Sequence, residues 1–145
     1  MKSKTGVDCG EILIHHDFTS IPVPRVLLVK TARRIYVLEK VPVSRKTHVI
    51  FCSDRAIRRL NSTFLGKDRA TDVLSFNYDD ADLLGEIYVS LERASVQARH
   101  YQVSCDNEIL RLFIHGMFHL LGFDHEKPGE RRKMEAKESQ YLCIP

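Results

Sequence analysis

The stretch His115-Gly-Met-Phe-His119-Leu-Leu-Gly122-Phe-Asp124-His125 decides how the rest of this chain is read. Residues four apart share one face of an α-helix, so His115 and His119 can offer their imidazoles to a single ion. Gly122 tolerates the left-handed backbone that ends a helix, and the chain can then turn to bring His125 to the same point. Three neutral imidazoles with an open fourth position suit a catalytic Zn²⁺, one per chain. Ordinary core histidines would lie on the apolar face of the helix. Projected at about 100° per residue, Ile109, Leu110, Phe113, Ile114, Met117, Leu120 and Leu121 form one broad arc. His115 and His119 fall opposite, beside Glu108, Arg111 and Gly122.

Upstream of this helix, Leu84 to Ser90 reads as a strand, and alternation puts Glu86 on the face of Leu84 and Tyr88, opposite Ile87 and Val89. Thr71 to Phe76 is a second strand, joined to it by the turn chemistry of Asn77-Tyr-Asp-Asp80, which predicts an antiparallel pair. Thr47 to Ser53 is β-branched and aromatic enough for a buried strand, and Glu11 to Phe18 reads as another. His15 and His16 in that last strand point to opposite faces and read as structural. Helices are expected from Arg25 to about Lys40, from Ser53 or Asp54 to about Phe64, from Leu91 to about Tyr101, from Ser104 through the histidines, and from Pro128 to Leu142. The last of these reads as an amphipathic closing helix. The expectation is an α/β (α+β) fold, a small mixed sheet of about four strands packed with about five helices, forming a single domain over residues 1–145.

A chain of 145 residues can bury a core of its own without disulfides. Cys9, Cys52, Cys105 and Cys143 are widely spaced and form no CxxC pair, so they read as reduced packing residues. The N-terminus lacks an apolar targeting core and no apolar run is long enough to span a membrane, which leads us to expect a cytoplasmic protein. The net charge of +3 is unevenly spread. Residues 1–70 hold 14 Lys and Arg against 6 Asp and Glu, a net of +8, and residues 71–145 hold 8 against 13, a net of −5. A basic half of this kind either faces a polyanion or is a solvated surface.

Three blocks together resemble the YbeY family of metal-dependent endoribonucleases. They are Leu60-Asn-Ser-Thr-Phe-Leu-Gly-Lys-Asp-Arg-Ala-Thr-Asp-Val-Leu-Ser-Phe76, Leu84-Gly-Glu-Ile-Tyr-Val-Ser90 and the histidine block itself. The resemblance covers residues 60–125. It implies zinc on His115, His119 and His125, single-stranded RNA as substrate, a part in maturing the 3′ end of small-subunit ribosomal RNA and in ribosome quality control, and partners among small-subunit ribosomal proteins. The chain departs from the family pattern at Leu65, where an arginine is usual, and at Ala70, Glu86 and Phe123, where proline, aspartate and tyrosine are usual.

For a nuclease, Lys67, Arg69 and Arg111 are the candidates to hold phosphate oxygens, and Glu86 or Asp124 to act as base or to orient the imidazoles. Arg33, Arg34, Lys67 and Arg69 are the expected RNA-binding cations. Two other functions share parts of the pattern. Metzincin proteases use the same ligand spacing but need glutamate directly after the first histidine, where Gly116 stands here. A non-catalytic assembly factor with a closed zinc site would need a fourth protein ligand, for which Asp124 and Cys105 are available.

Overall fold

The computed structural model describes residues 7–17, 21–78, 80–124 and 126–142, with side chains from residue 10 onward. The elements in chain order are β1 (Val7–Cys9), β2 (Ile12–His16), α1 (Arg25–Leu38), β3 (Lys46–Cys52), α2 (Asp54–Leu65), β4 (Val73–Asn77), β5 (Leu83–Ser90), α3 (Leu91–Tyr101), α4 (Cys105–Leu120) and α5 (Pro128–Leu142). The strands form one mixed sheet in the order β1-β2-β3-β5-β4. β3 runs parallel to both β2 and β5, while β1 and β4 close the two edges antiparallel. The expected strands and five helices are therefore present, with the three-residue β1 added as an edge strand too short to announce itself in the sequence. Among the described residues no helix is long and apolar enough to cross a membrane.

Alternation divides the sheet into two faces. Ile12, Ile14, Thr47, Val49, Phe51, Ile87 and Val89 are buried on one of them, under Leu28, Ala32, Ile35 and Tyr36 of α1 and the long apolar surface of α4. A buried hydroxyl pair on this side is satisfied: the Tyr36 phenol lies 2.8 Å from Thr47 Oγ1 and donates to the Arg45 carbonyl at 2.6 Å. His48, Glu86 and Tyr88 alternate to the other face, where α2 packs across β4 and β5. Cys52 is buried and its thiol is pushed up to about 12 by that burial, so it is an inert packing group as expected. Cys105 is a free, half-buried thiol, and Cys143 and the Cys9 side chain lie outside what is described.

Helix starts follow the sequence closely. Ser53, Ser90 and Ser104 each accept a backbone N–H from the residue three positions on, at 3.0–3.1 Å. α4 is more enclosed than its projection suggests. Leu112, Gly116 and Phe118 are buried along with the predicted arc from Ile109 to Leu120, because α3, α5 and β4 pack around it as well as β5. Glu108, placed by the projection on the open side, is only 1% exposed and is neutralised there by Arg111. α5 buries Met134 and Tyr141 in the core and packs the half-buried Leu142 against it.

Candidate metal centre and the cleft beside it

Two close approaches fix α4 against the sheet. A Cβ on Gly116 would meet Ile87 Cγ2 at 2.6 Å, and one on Gly85 would meet Leu120 Cδ2 at 2.6 Å, so glycine at both positions lets helix and strand touch. Polar bonds add register to that contact. Ser75 donates to the Gly116 carbonyl at 3.3 Å and Asn77 donates through its amide to the Leu120 carbonyl at 2.5 Å. The helix then stops as the sequence predicts. Gly122 adopts φ +95°, its N–H bonds the His119 carbonyl at 3.1 Å, and the Phe123 N–H reaches back to Phe118 at 2.9 Å. This pair of bonds is the Schellman arrangement, and the Phe118 and Phe123 rings pack edge to face across it at 5.4 Å.

His115 and His119 point their Nε2 atoms at each other, 3.2 Å apart, with ring planes at 78°. Two imidazole nitrogens bound at about 2.0–2.1 Å to one tetrahedral ion would be separated by roughly 3.3 Å, so the pair has the spacing that two ligands of one metal require. His115 is further oriented from behind. Its Nδ1 donates to Glu138 Oε2 at 2.5 Å, which leaves the lone pair on Nε2, the atom that faces His119. Glu138 escaped the sequence reading because it sits among many charges on α5. Its signal was there to use: Met134, Glu138 and Tyr141 recur at i, i+4 and i+7, and the other two members of that stripe are buried.

The third expected ligand, His125, lies outside the described residues. Among the described residues no three His, Cys, Asp or Glu side chains gather into a metal-holding group, so what is described is a two-histidine half-site. Asp124, one position before, is exposed and accepts the Glu126 N–H at 3.0 Å. Cys105 is excluded as a fourth ligand. It starts α4 ten residues before His115, about 15 Å along the axis at 1.5 Å per residue.

Beside the histidines runs a cleft of about 400 Å³, floored by Thr71, Asp72, Val73, Leu74, Ser75 and Asn77 along the outer edge of β4. In the sequence Thr71 to Phe76 carry only the pattern of a strand and Asn77 that of a turn, with no signal that marks a site. Lys67 and Arg69 are exposed in the loop just before it, which is folded back onto α2. The Asn61 side chain donates to the Arg69 carbonyl at 2.9 Å and the Lys67 N–H bonds the Asn61 carbonyl at 3.2 Å. Leu65 closes α2 and is half exposed.

Other expected site residues are not brought to this cleft. Glu86 lies on the opposite face of the sheet from α4, accepting the Tyr78 hydroxyl at 2.9 Å and the Tyr88 hydroxyl at 3.1 Å. Its carboxylate helps hold both phenols above their usual range, through the hydrogen bond to Tyr78 and, after burial, as the next cause at Tyr88. The strand alternation expected for Glu86 is therefore correct, but it carries the carboxylate away from the imidazoles. Arg111 donates through Nε and Nη2 to the two carboxylate oxygens of Glu108, at 2.9 and 2.6 Å, and lies over the Tyr101 ring; it is a partner for a buried carboxylate. Arg33 is exposed but pairs with Glu11 at 3.5 Å beside β2, several strands from β4. Arg34 is half-buried over the Tyr141 ring at 5.1 Å, which makes it a packing cation between α1 and α5.

The chain's relatives are found by sequence and by shape. The family model described as Endoribonuclease YbeY matches residues 22–143. An Endoribonuclease YbeY of Chlorobium phaeovibrioides is 37% identical over 130 residues, which is 89% of this chain and 87% of that protein. The one from Finegoldia magna is 45% identical over 97 residues, 63% of each chain. The solution structure of a Thermotoga maritima protein superposes with a TM-score of 0.64 at 32% identity, covering 90% of this chain and 86% of the other. This chain belongs to the endoribonuclease YbeY family.

Proposed function

We propose that this protein is a zinc-dependent endoribonuclease that cuts single-stranded RNA, acting in the cytoplasm on ribosomal RNA at the 3′ end of the small-subunit transcript, in company with small-subunit ribosomal proteins and in ribosome quality control. The observation that carries the metal and the chemistry is the converging Nε2 pair of His115 and His119 with Glu138 behind it, opening on a polar cleft. His115, His119 and His125 would hold the ion. Zinc, when bound, supplies Lewis acidity toward a phosphoryl oxygen and activates water near neutral pH.

The chain's own groups have separate tasks. Glu138 keeps the His115 proton on Nδ1 and fixes the ring's direction. Lys67 and Arg69, exposed in the loop that leads into β4, would neutralise phosphate oxygens, with Leu65 contributing no charge at the position where the family's arginine would stand. The protease reading loses its base on steric grounds as well as by sequence, since any side chain at position 116 collides with Ile87. The assembly-factor reading keeps only Asp124 of its two fourth-ligand candidates.

The test is cleavage of a single-stranded ribosomal RNA fragment by purified protein, with and without chelator, beside a duplex of the same sequence. Cutting of the single strand that is lost with chelator and in His119→Ala supports the reading. Zinc retained at full occupancy in His119→Ala, or intact RNA after prolonged incubation with the zinc-loaded protein, overturns it.

A further inference from the structure

The β4 edge is the least protected part of the sheet. Asp72 accepts from the Ser90 N–H at 2.9 Å and Tyr78 donates to the Leu84 carbonyl at 3.1 Å, flanking a ladder whose Cα partners run from Val73↔Val89 to Asn77↔Gly85. In an antiparallel pair the hydrogen-bonded residues alternate. Leu74 and Phe76 therefore turn their N–H and C=O groups toward β5, and Val73, Ser75 and Asn77 turn theirs outward. Among the described residues none of these six outward groups takes a hydrogen-bond partner.

Sheets normally guard such an edge with lysine, proline, a bulge or a very short strand. β1, at the other edge, is only three residues long. β4, Val-Leu-Ser-Phe-Asn, has none of these devices and pairs with β5 without a register break. Its edge also borders the histidine cleft. A second cleft of about 440 Å³, lined by Phe64, Phe76, Tyr78 and Tyr88 on the far face, shares Ser75 and Asn77 with the first, so the two grooves meet over this edge.

We propose that the outward N–H and C=O groups of Val73, Ser75 and Asn77 bind the nucleobase edges of the single-stranded RNA at the cut site; this rests on the nuclease reading above. Each outward residue presents a donor and an acceptor side by side, the complement of a base's hydrogen-bonding edge. A run of phosphates would meet repulsive carbonyls. Successive outward residues lie about 6.8 Å apart, a separation that extended nucleotides can match. Ser75 and Asn77 hold the strand to α4 by their side chains, so a base on this edge is set at a fixed place relative to His115 and His119.

The experiment is an amide NMR titration of the full-length zinc-loaded protein with a nuclease-resistant single-stranded oligoribonucleotide, combined with affinity measurements. Shifts and exchange protection at Val73, Ser75 and Asn77, with far smaller changes at Leu74 and Phe76, are expected. Ser75→Pro removes one outward N–H and no ladder bond, and should weaken oligonucleotide affinity roughly three- to tenfold, the effect of one hydrogen bond, and by more than Ser75→Ala does. RNA that binds without this two-residue alternation overturns the inference and leaves the nuclease reading standing. Absence of both RNA binding and cleavage overturns the nuclease reading itself. The alternating pattern produced by an extended peptide and not by RNA overturns the proposal in favour of strand addition.

Discussion

Glu138 Oε2 lies 2.5 Å from His115 Nδ1, joining α5 to α4 across 23 positions of sequence. The contact gives the closing helix a chemical task, since the carboxylate sets which nitrogen of His115 carries the proton. Loss of such a partner typically lowers metal affinity about 10- to 100-fold. Glu138→Ala is therefore expected to release zinc to a competing chelator in that range, and Glu138→Gln, whose amide oxygen can still accept from Nδ1, by less. Unchanged chelator competition in both variants would show that the contact does not tune the site.

The close approach of Gly116 to Ile87 predicts a steric phenotype. Gly116→Ala should destabilise the fold by about 1–3 kcal/mol through overpacking, read as a lower urea midpoint with unchanged slope. Trimming the obstacle restores room. Gly116→Ala combined with Ile87→Ala should be less destabilised than the sum of the two single changes, because the residues touch. Strict additivity would place the strain elsewhere.

His15 stacks on His48 with ring centroids 5.1 Å apart and its Nε2 2.9 Å from His48 Nδ1, beyond the metal-bearing face. Burial, and then the neighbouring His48, lowers the His15 pKa from 6.5, against smaller opposing effects of Asp17 and Glu86. In the unfolded chain the group takes up its proton first as pH falls. Its contribution is thus fully present above about 6.5 and is lost as pH drops toward the lower folded value. The stability difference between wild type and His15→Gln, from urea unfolding at several pH values, should shrink on acidification below that point. A difference that stays constant or grows would contradict the assigned direction.

Leu65 ends α2 half exposed, next to the loop that carries Lys67 and Arg69. An arginine placed there has solvent to occupy and a planar fork to offer a phosphate. Leu65→Arg should raise single-turnover RNA cleavage several-fold, and Lys67→Ala and Arg69→Ala should lower it. Natural-protein cleavage indifferent to all three changes would remove this loop from phosphate binding.

Arg34 gives the contrasting case, as its guanidinium lies over Tyr141 between α1 and α5. Arg34→Ala should lower the melting temperature, with a cost of about 0.5–2 kcal/mol for a lost cation–π contact, and leave the salt dependence of RNA binding unaltered. A shallower salt slope in Arg34→Ala would instead make it a phosphate contact.

The sequence alone determined whatever depends on near neighbours along the chain. The i, i+4 spacing put His115 and His119 on one side of a helix, Gly122 ended that helix, serine caps opened it and two others, and two-residue alternation assigned Glu86 its face correctly. Each of these rests on backbone periodicity or a single residue's conformational range, which are local properties. The tertiary structure decided which local faces meet. Only the packing of α5 on α4 delivered Glu138 to His115, and only the strand order left β4 with a free edge beside the histidines. Those outcomes depend on contacts between residues tens of positions apart. Their energies are set by burial and by the satisfaction of polar groups, and no single stretch of the sequence contains both partners.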